Sequence, residues 1–409
     1  MIALLFVDDE PKVLDGLRRM LHGMRREWDM RFASGGREAL MALAAAPADV
    51  VVSDMRMPDI NGAKLFAEVE NLYPRTARIL LTGQSSYEFT LRLVGPSQVF
   101  ISKPCDDAHL TRAVKQAVEL RHYLWRPELE KLMVGFKWGK SLLSTYFRIR
   151  DELLQEKPAI AGIASLIESN PGLERAFLHL ADLLYPQGRR AMHPYQAIRH
   201  LKPESFHTTI VAATILSLIV GDDSSRAETD RLIREALLVA KLSARLCRLH
   251  GFGAENAPIA FLAGLLHNTG PMVLAANKPE KMRQFIEQLK MVPKDVRVDF
   301  ERRLWGASFG EIGGHLLAEW GLPDALIEAV TYQEEPGLRD HPQSPVLTTL
   351  HVAKWLAGWN ATGRTIGDLT IEENGEARLD RAFLNRQNFR VQPEIYRQYL
   401  QELQEEQPS

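Results

Sequence analysis

The hydrophobic pattern of the chain changes character near residue 105. Before that point, short and almost wholly apolar runs alternate with segments of helical spacing. Runs at 2–7, 49–53, 77–82 and 98–102 predict four strands, and 30–33 a weaker fifth. Their length and their content of Val, Ile and Leu suit strands covered on both faces. Segments 11–22, 37–45, 63–72, 85–94 and 106–121 predict the intervening helices. Pro11 fits a first helical turn, and the pair Asp106-Asp107 fits a helix N-terminus, where carboxylates meet the positive end of the macrodipole. Five such units imply an α/β domain with a doubly wound, five-stranded parallel sheet. The ligand site of that architecture lies at the carboxyl ends of the strands.

After Lys103 no further strand pattern occurs. Leu110, Val114, Ala117, Val118 and Leu124 form an apolar stripe at helical spacing, which Pro127 interrupts. A second helical segment at 129–154 carries Phe136, Trp138, Leu142, Tyr146 and Phe147. The expected division is therefore an α/β domain at 1–121, a helical linker at 122–149, an all-α domain at 150–345 and a helical extension at 346–409. The last of these ends in a charged, Gln/Glu-rich stretch expected to fray.

Composition narrows the classes of partner. The chain has 409 residues, 45% apolar and 25% charged, with a net charge of −2, so it lacks the excess of positive charge that would draw nucleic acid or an anionic membrane. Its two cysteines, Cys105 and Cys247, have neither CxxC nor metal-ligand spacing, which argues for a reducing compartment and a cytoplasmic location. MIALLFVDDE turns acidic too early for a signal peptide. The longest apolar run, 210–220, is broken by Thr and Ser and falls short of the roughly 20 residues a bilayer requires. No membrane partner is expected.

The candidate chemistry lies at the ends of the first-domain strands. Asp8 and Asp9 follow the first run, Asp54 ends the third, Thr82 ends the fourth and Lys103 follows the fifth. Parallel strands would bring these side chains to one edge, where carboxylates can hold a hard divalent cation and a lysine can neutralise a phosphoryl oxygen. The order VDDE, SDMRMPDING, LTG and SKP resembles the receiver domain of two-component response regulators over roughly residues 1–121. The resemblance implies a flavodoxin-like fold, phosphorylation of Asp54 by a histidine kinase, and bound Mg2+. It further implies that Asp9, Asp54 and the backbone carbonyl of Arg56 ligate the ion, with Asp8 contributing through water. Lys103 and Thr82 would contact the phosphoryl oxygens, and Phe100 would be the switch aromatic. Arg56 and Gln84 would flank the path of hydrolytic water.

In the helical region FLAGLLHNTGPMVL, at 261–274, resembles the His-Asp segment of the HD superfamily of metal phosphohydrolases. Asn268 stands where the metal-binding aspartate would be, Glu235 where an earlier histidine would be, and Phe309 where a further histidine is expected, with His315 six residues later. With IASLIESNPGLERAFLHLAD, YQAIRHLKPESF and GHLLAEWGLPDALIEAV, the region most resembles the HDOD domain, a non-hydrolytic relative of the HD fold. His267 then reads as a core histidine, although Glu235 and His267 could together hold a metal weakly. Trp305, Phe309, Trp320 and Trp355 read as core, and Arg189-Arg190 and Arg302-Arg303 as solvated faces.

Two classes of function follow. One is a response regulator, not an enzyme, whose HDOD output works by protein–protein contact with an unidentified downstream signalling protein, homo-oligomerisation being left open. The other is a metal-dependent HD-type phosphohydrolase acting on a cyclic dinucleotide or nucleotide under receiver control.

Overall fold

The computed structural model describes residues 1–82, 98–136, 140–155, 158–184, 193–201, 203–219, 226–339, 344–361 and 379–405. The expected helix at 85–94, together with Gln84, Trp138 and Arg189-Arg190, lies outside the described residues. Two compact units divide the chain. The first is Met1–Arg126 with Arg150–Pro158 and Leu317–Asp324; the second is Pro127–Ile149, Ala159–Leu316 and Ala325–Ser409.

The first unit is built on strands β1 (Ile2–Val7), β2 (Trp28–Ala33), β3 (Val50–Asp54), β4 (Ala77–Thr82) and β5 (Val99–Ser102). All are parallel, in the order β2-β1-β3-β4-β5. This is the doubly wound arrangement in which the strand order reverses beside the first strand, so a crevice opens at the carboxyl ends of β1 and β3. Helices α1 (Pro11–Met20), α2 (Gly36–Ala45), α3 (Gly62–Leu72) and α4 (Asp107–Leu124) cover the sheet.

Strand alternation explains the two cores. Leu4 and Phe6 of β1 point to one face, where they meet Leu14 and Leu17 of α1 and Leu110 and Val114 of α4. Leu5 and Val7 point to the other, against Leu43 of α2 and Leu65, Phe66 and Val69 of α3. With both faces buried, the central strands must be apolar at nearly every position, which is why they read as continuous runs.

The second unit is helical throughout its described residues. The long helix Arg226–Leu249 packs along Asn256–Leu266 and Pro345–Ala361. The stretch Asn256–Asn277 is apolar and long enough to cross a membrane by composition alone, but 67% of its most apolar 18-residue window is buried within the protein, as core segments are.

Helix Pro393–Glu405 is packed through the buried Tyr396 and Leu400, while the final residues 406–409, where fraying is expected, lie outside the described residues. The Tyr396 hydroxyl lies 3.0 Å from His250 Nε2, Phe389 stacks on the His250 ring at 3.8 Å between centroids, and Arg245 pairs with Glu402. Apolar residues spaced to one face are enough to seat a helix that is charged elsewhere.

Candidate functional site

The carboxyl edge of the sheet gathers Asp8, Asp54 and Lys103. Val7 of β1 sits opposite Ser53 of β3, so Asp8 and Asp54 leave neighbouring strands side by side. Thr82 pairs with Ser102, and the Lys103 amide donates to the Thr82 carbonyl at 2.8 Å, which fixes where the lysine emerges. Its ammonium donates to Asp54 Oδ1 at 2.5 Å and to Asp8 Oδ2 at 3.1 Å. Burial works against the lysine's charge, but the hydrogen bonds to Asp54 and Asp8 outweigh it and hold the Lys103 pKa above the ordinary value.

Backbone groups fix the remaining carboxylate oxygens. The amide of Arg56 donates to Asp54 Oδ2 at 2.6 Å, and the amide of Glu10 to Asp8 Oδ1 at 3.0 Å. The loop after Asp54 is closed by the Gly62 amide donating to the Met55 carbonyl at 3.0 Å. A Cβ at Gly62 would lie 2.3 Å from the Asp54 carbonyl oxygen, so only glycine lets α3 start this close to the acid. Asn61 caps the helix by accepting from the Lys64 amide at 2.9 Å.

Asp9 is half-buried and its carboxylate has no hydrogen-bond or ion-pair partner among the described residues. Thr82, at the end of β4, is buried, and Phe100, the second residue of β5, is half-buried.

The donor set suits a hard cation: three carboxylates and the backbone carbonyl of Arg56, an exposed residue, all oxygen. Among the described residues, however, no three His, Cys, Asp or Glu side chains stand gathered around one ion position. Lys103 fills the role of counter-ion instead, so a cation would bind by drawing on Asp9 and displacing part of the lysine's hold on Asp8 and Asp54.

The HD-like region is arranged differently. His267, at the end of helix Asn256–Leu266, is buried, and its Nδ1 lies 2.6 Å from the Gly264 carbonyl. Burial, reinforced by the nearby Lys354 ammonium, pushes its pKa down to about 3, so the ring is neutral and Nδ1 carries the donated proton. Glu235 is exposed on helix Arg226–Leu249, and Asn268 is half-buried.

A polar hub that sequence reasoning missed centres on Gln333. Its Nε2 donates to the carbonyls of His267, at 2.9 Å, and Val330, at 3.0 Å, and its Oε1 accepts from Lys354 Nζ at 2.8 Å. His351 Nδ1 lies 3.0 Å from the Gln333 carbonyl, while its Nε2 accepts from the Asp380 amide at 3.0 Å, which assigns the proton to Nδ1. No motif marks this hub, because its members are far apart in sequence and each is common alone.

Trp305, Trp320 and Trp355 are buried, as core residues are. Arg302 departs from the solvated face expected for it: it donates to Glu311 at 3.1 Å and Glu335 at 2.5 Å.

Comparison with known proteins divides along the same lines. A response regulator receiver domain model matches residues 4–115, and an HDOD domain model matches 140–336. The response regulator protein PilR of Pseudomonas aeruginosa is 30% identical over 193 residues, covering 47% of this chain and 41% of PilR. The hydrogenase transcriptional regulatory protein HoxA of Cupriavidus necator is 34% identical over 119 residues, covering 29% of this chain and 24% of HoxA. The chain thus spans less than half the length of these two relatives. A crystal structure of a candidate phosphohydrolase from Shewanella amazonensis aligns with a TM-score of 0.52 at 17% identity, covering 69% of this chain and 96% of that one, a likeness of fold alone. From its strand order, its site and these matches, the chain carries an N-terminal response regulator receiver domain followed by an HDOD domain.

Proposed function

We propose that this protein is a two-component response regulator, phosphorylated on Asp54 by a histidine kinase with Mg2+, whose HDOD region acts by protein–protein interaction. The observation that carries the reading is the Lys103 ammonium held between Asp8 and Asp54 at the switch point of the sheet. An Asp54 oxygen attacks the phosphorus of a phosphohistidine. The new P–O bond forms as the P–N bond breaks, and the imidazole leaves with a proton from solvent. Held by Asp9, Asp54 and the Arg56 carbonyl, with Asp8 contributing through water, Mg2+ would offset the charge of the acid and the incoming phosphoryl group. Lys103 would exchange its contact with Asp54 for one with a phosphoryl oxygen, and Thr82 would donate to another.

We assign residues 1–121 to the receiver, 122–149 to a linker, 150–345 to the HDOD region and 346–409 to an extension, in a cytoplasmic protein. The His267 Nδ1 bound to a backbone carbonyl and the exposed Glu235 support an output that is not hydrolytic. The partner is a downstream signalling protein or a second copy of the chain, and neither nucleic acid nor membrane.

Incubation with acetyl phosphate and Mg2+ should give an acid-stable, alkali-labile label on the wild type and none on Asp54→Asn. Equal labelling of both would overturn the assignment. Hydrolysis of a cyclic dinucleotide that is lost in His267→Ala would favour the enzymatic alternative.

A further inference from the structure

The first compact unit is more than a receiver. It includes two stretches from the HDOD match, Arg150–Pro158 and Leu317–Asp324. A cluster of buried charges holds them at the amino-terminal edge of the sheet, opposite the phosphorylation site. Asp324 receives both terminal nitrogens of Arg121 on α4, at 2.9 and 2.8 Å, across 203 residues of sequence. The Asp324 amide donates to the Gln98 carbonyl at 3.0 Å. Glu70, at the end of α3, accepts from Arg78 of β4 at 3.2 Å and forms an ion pair with Arg150 at 2.7 Å. Gly321 presses on the same carboxylate: its φ is +71°, and a Cβ there would lie 2.0 Å from Glu70 Oε1.

Two features make this cluster suited to opening and closing. Among the described residues, Arg121 Nε and Gln98 Nε2 are buried without a hydrogen-bond partner, which disfavours the closed arrangement. The cluster also grips the starts of the strands that end in Thr82 and Lys103, since Arg78 opens β4 and the amide of Gln98, just before β5, donates to the Arg78 carbonyl at 3.0 Å. On one face of the sheet, Leu154 packs against the same apolar cluster as Phe100.

We propose that this cluster is a clasp that seats the Arg150 and Leu317–Asp324 segments on the receiver while Asp54 is unmodified, and that phosphorylation of Asp54 loosens it. The second half rests on the function proposed above. Both segments continue along the chain into helices of the HDOD match, so the clasp is where a change at the strand ends would be felt by the output region.

Hydrogen exchange on the full-length protein, read by mass spectrometry, tests both halves. Asp324→Asn keeps the shape of the side chain and removes its charge, and Gly321→Ala strikes the Glu70 side of the clasp. In the absence of phosphodonor each should speed exchange at 317–324 by about tenfold or more while leaving the β1 and β3 amides protected. Unchanged exchange in both variants overturns the clasp. Acetyl phosphate with Mg2+ should produce the same local acceleration in the wild type, with incorporation checked by intact mass, and none in Asp54→Asn. Incorporation without acceleration, or acceleration that persists in Asp54→Asn, overturns the coupling. A wild type that takes up no phosphoryl group overturns the proposed function, and the variant comparison still decides the clasp.

Discussion

Glu301 shows what a single buried carboxyl costs. Its Oε2 accepts from the Phe309 amide at 2.8 Å, yet burial outweighs that bond and raises its pKa from 4.5 to about 7. Between those values the native state keeps a proton that the unfolded chain has released, so stability falls as pH rises through the window and the full penalty applies above it. Glu301→Gln preserves the acceptor and removes the charge. It should stabilise the protein by about 1–3 kcal/mol near pH 8, with the gain vanishing near pH 4. Urea unfolding at the two pH values checks this, and a gain independent of pH would refute the ionisation argument. Such a residue cannot be read from sequence, because its pKa is made by packing. Asp8, Asp54 and Lys103 could be read, because each follows an apolar run and parallel strands carry run ends to one edge. The Arg121–Asp324 pair could not: nothing in two separate helical patterns says which positions meet 203 residues apart.

Among elements, the start of α3 bears most directly on the site. Asn61→Ala removes a cap and should cost about 1 kcal/mol while leaving Asp54 labelling close to wild type. Gly62→Ala forces a Cβ against the Asp54 carbonyl and Leu80 Cδ1, so it should move the acid itself and slow labelling about tenfold or more. Measuring urea midpoints and acetyl phosphate labelling rates together separates helix stability from site geometry; equal labelling by the two variants would show that the close approach is not needed. The same physics set how well the elements could be foreseen. β1 and β4 run from 2 to 7 and 77 to 82 as their runs predict, although Arg78 interrupts the apolar pattern of β4. The edge strand β2 begins earlier, at Trp28, because the exposed Asp29 interrupts the pattern without interrupting the pairing with β1. α4 runs on to Leu124, past the expected end at 121.

At the scale of the whole chain, the HDOD match stops at 336 while the second compact unit continues through Ala325–Ser409. The segment after 379 should therefore be part of that unit's stability rather than an appendage. Tyr396 is its deepest anchor, with no exposed surface and its hydroxyl 3.0 Å from His250 Nε2. Tyr396→Phe keeps the ring and loses one hydrogen bond, at a cost of about 1 kcal/mol. Tyr396→Ala leaves a cavity beneath the helix and should cost about 3–5 kcal/mol, a large share of the stability of any single unit. The two variants part the contributions of packing and polarity. Urea unfolding followed by tryptophan fluorescence should show the graded loss, and limited proteolysis should cleave first near 379–393 in the alanine variant. If Tyr396→Ala unfolds like the wild type, the C-terminal helix is held by nothing the second unit needs, and the HDOD match alone marks the folding unit.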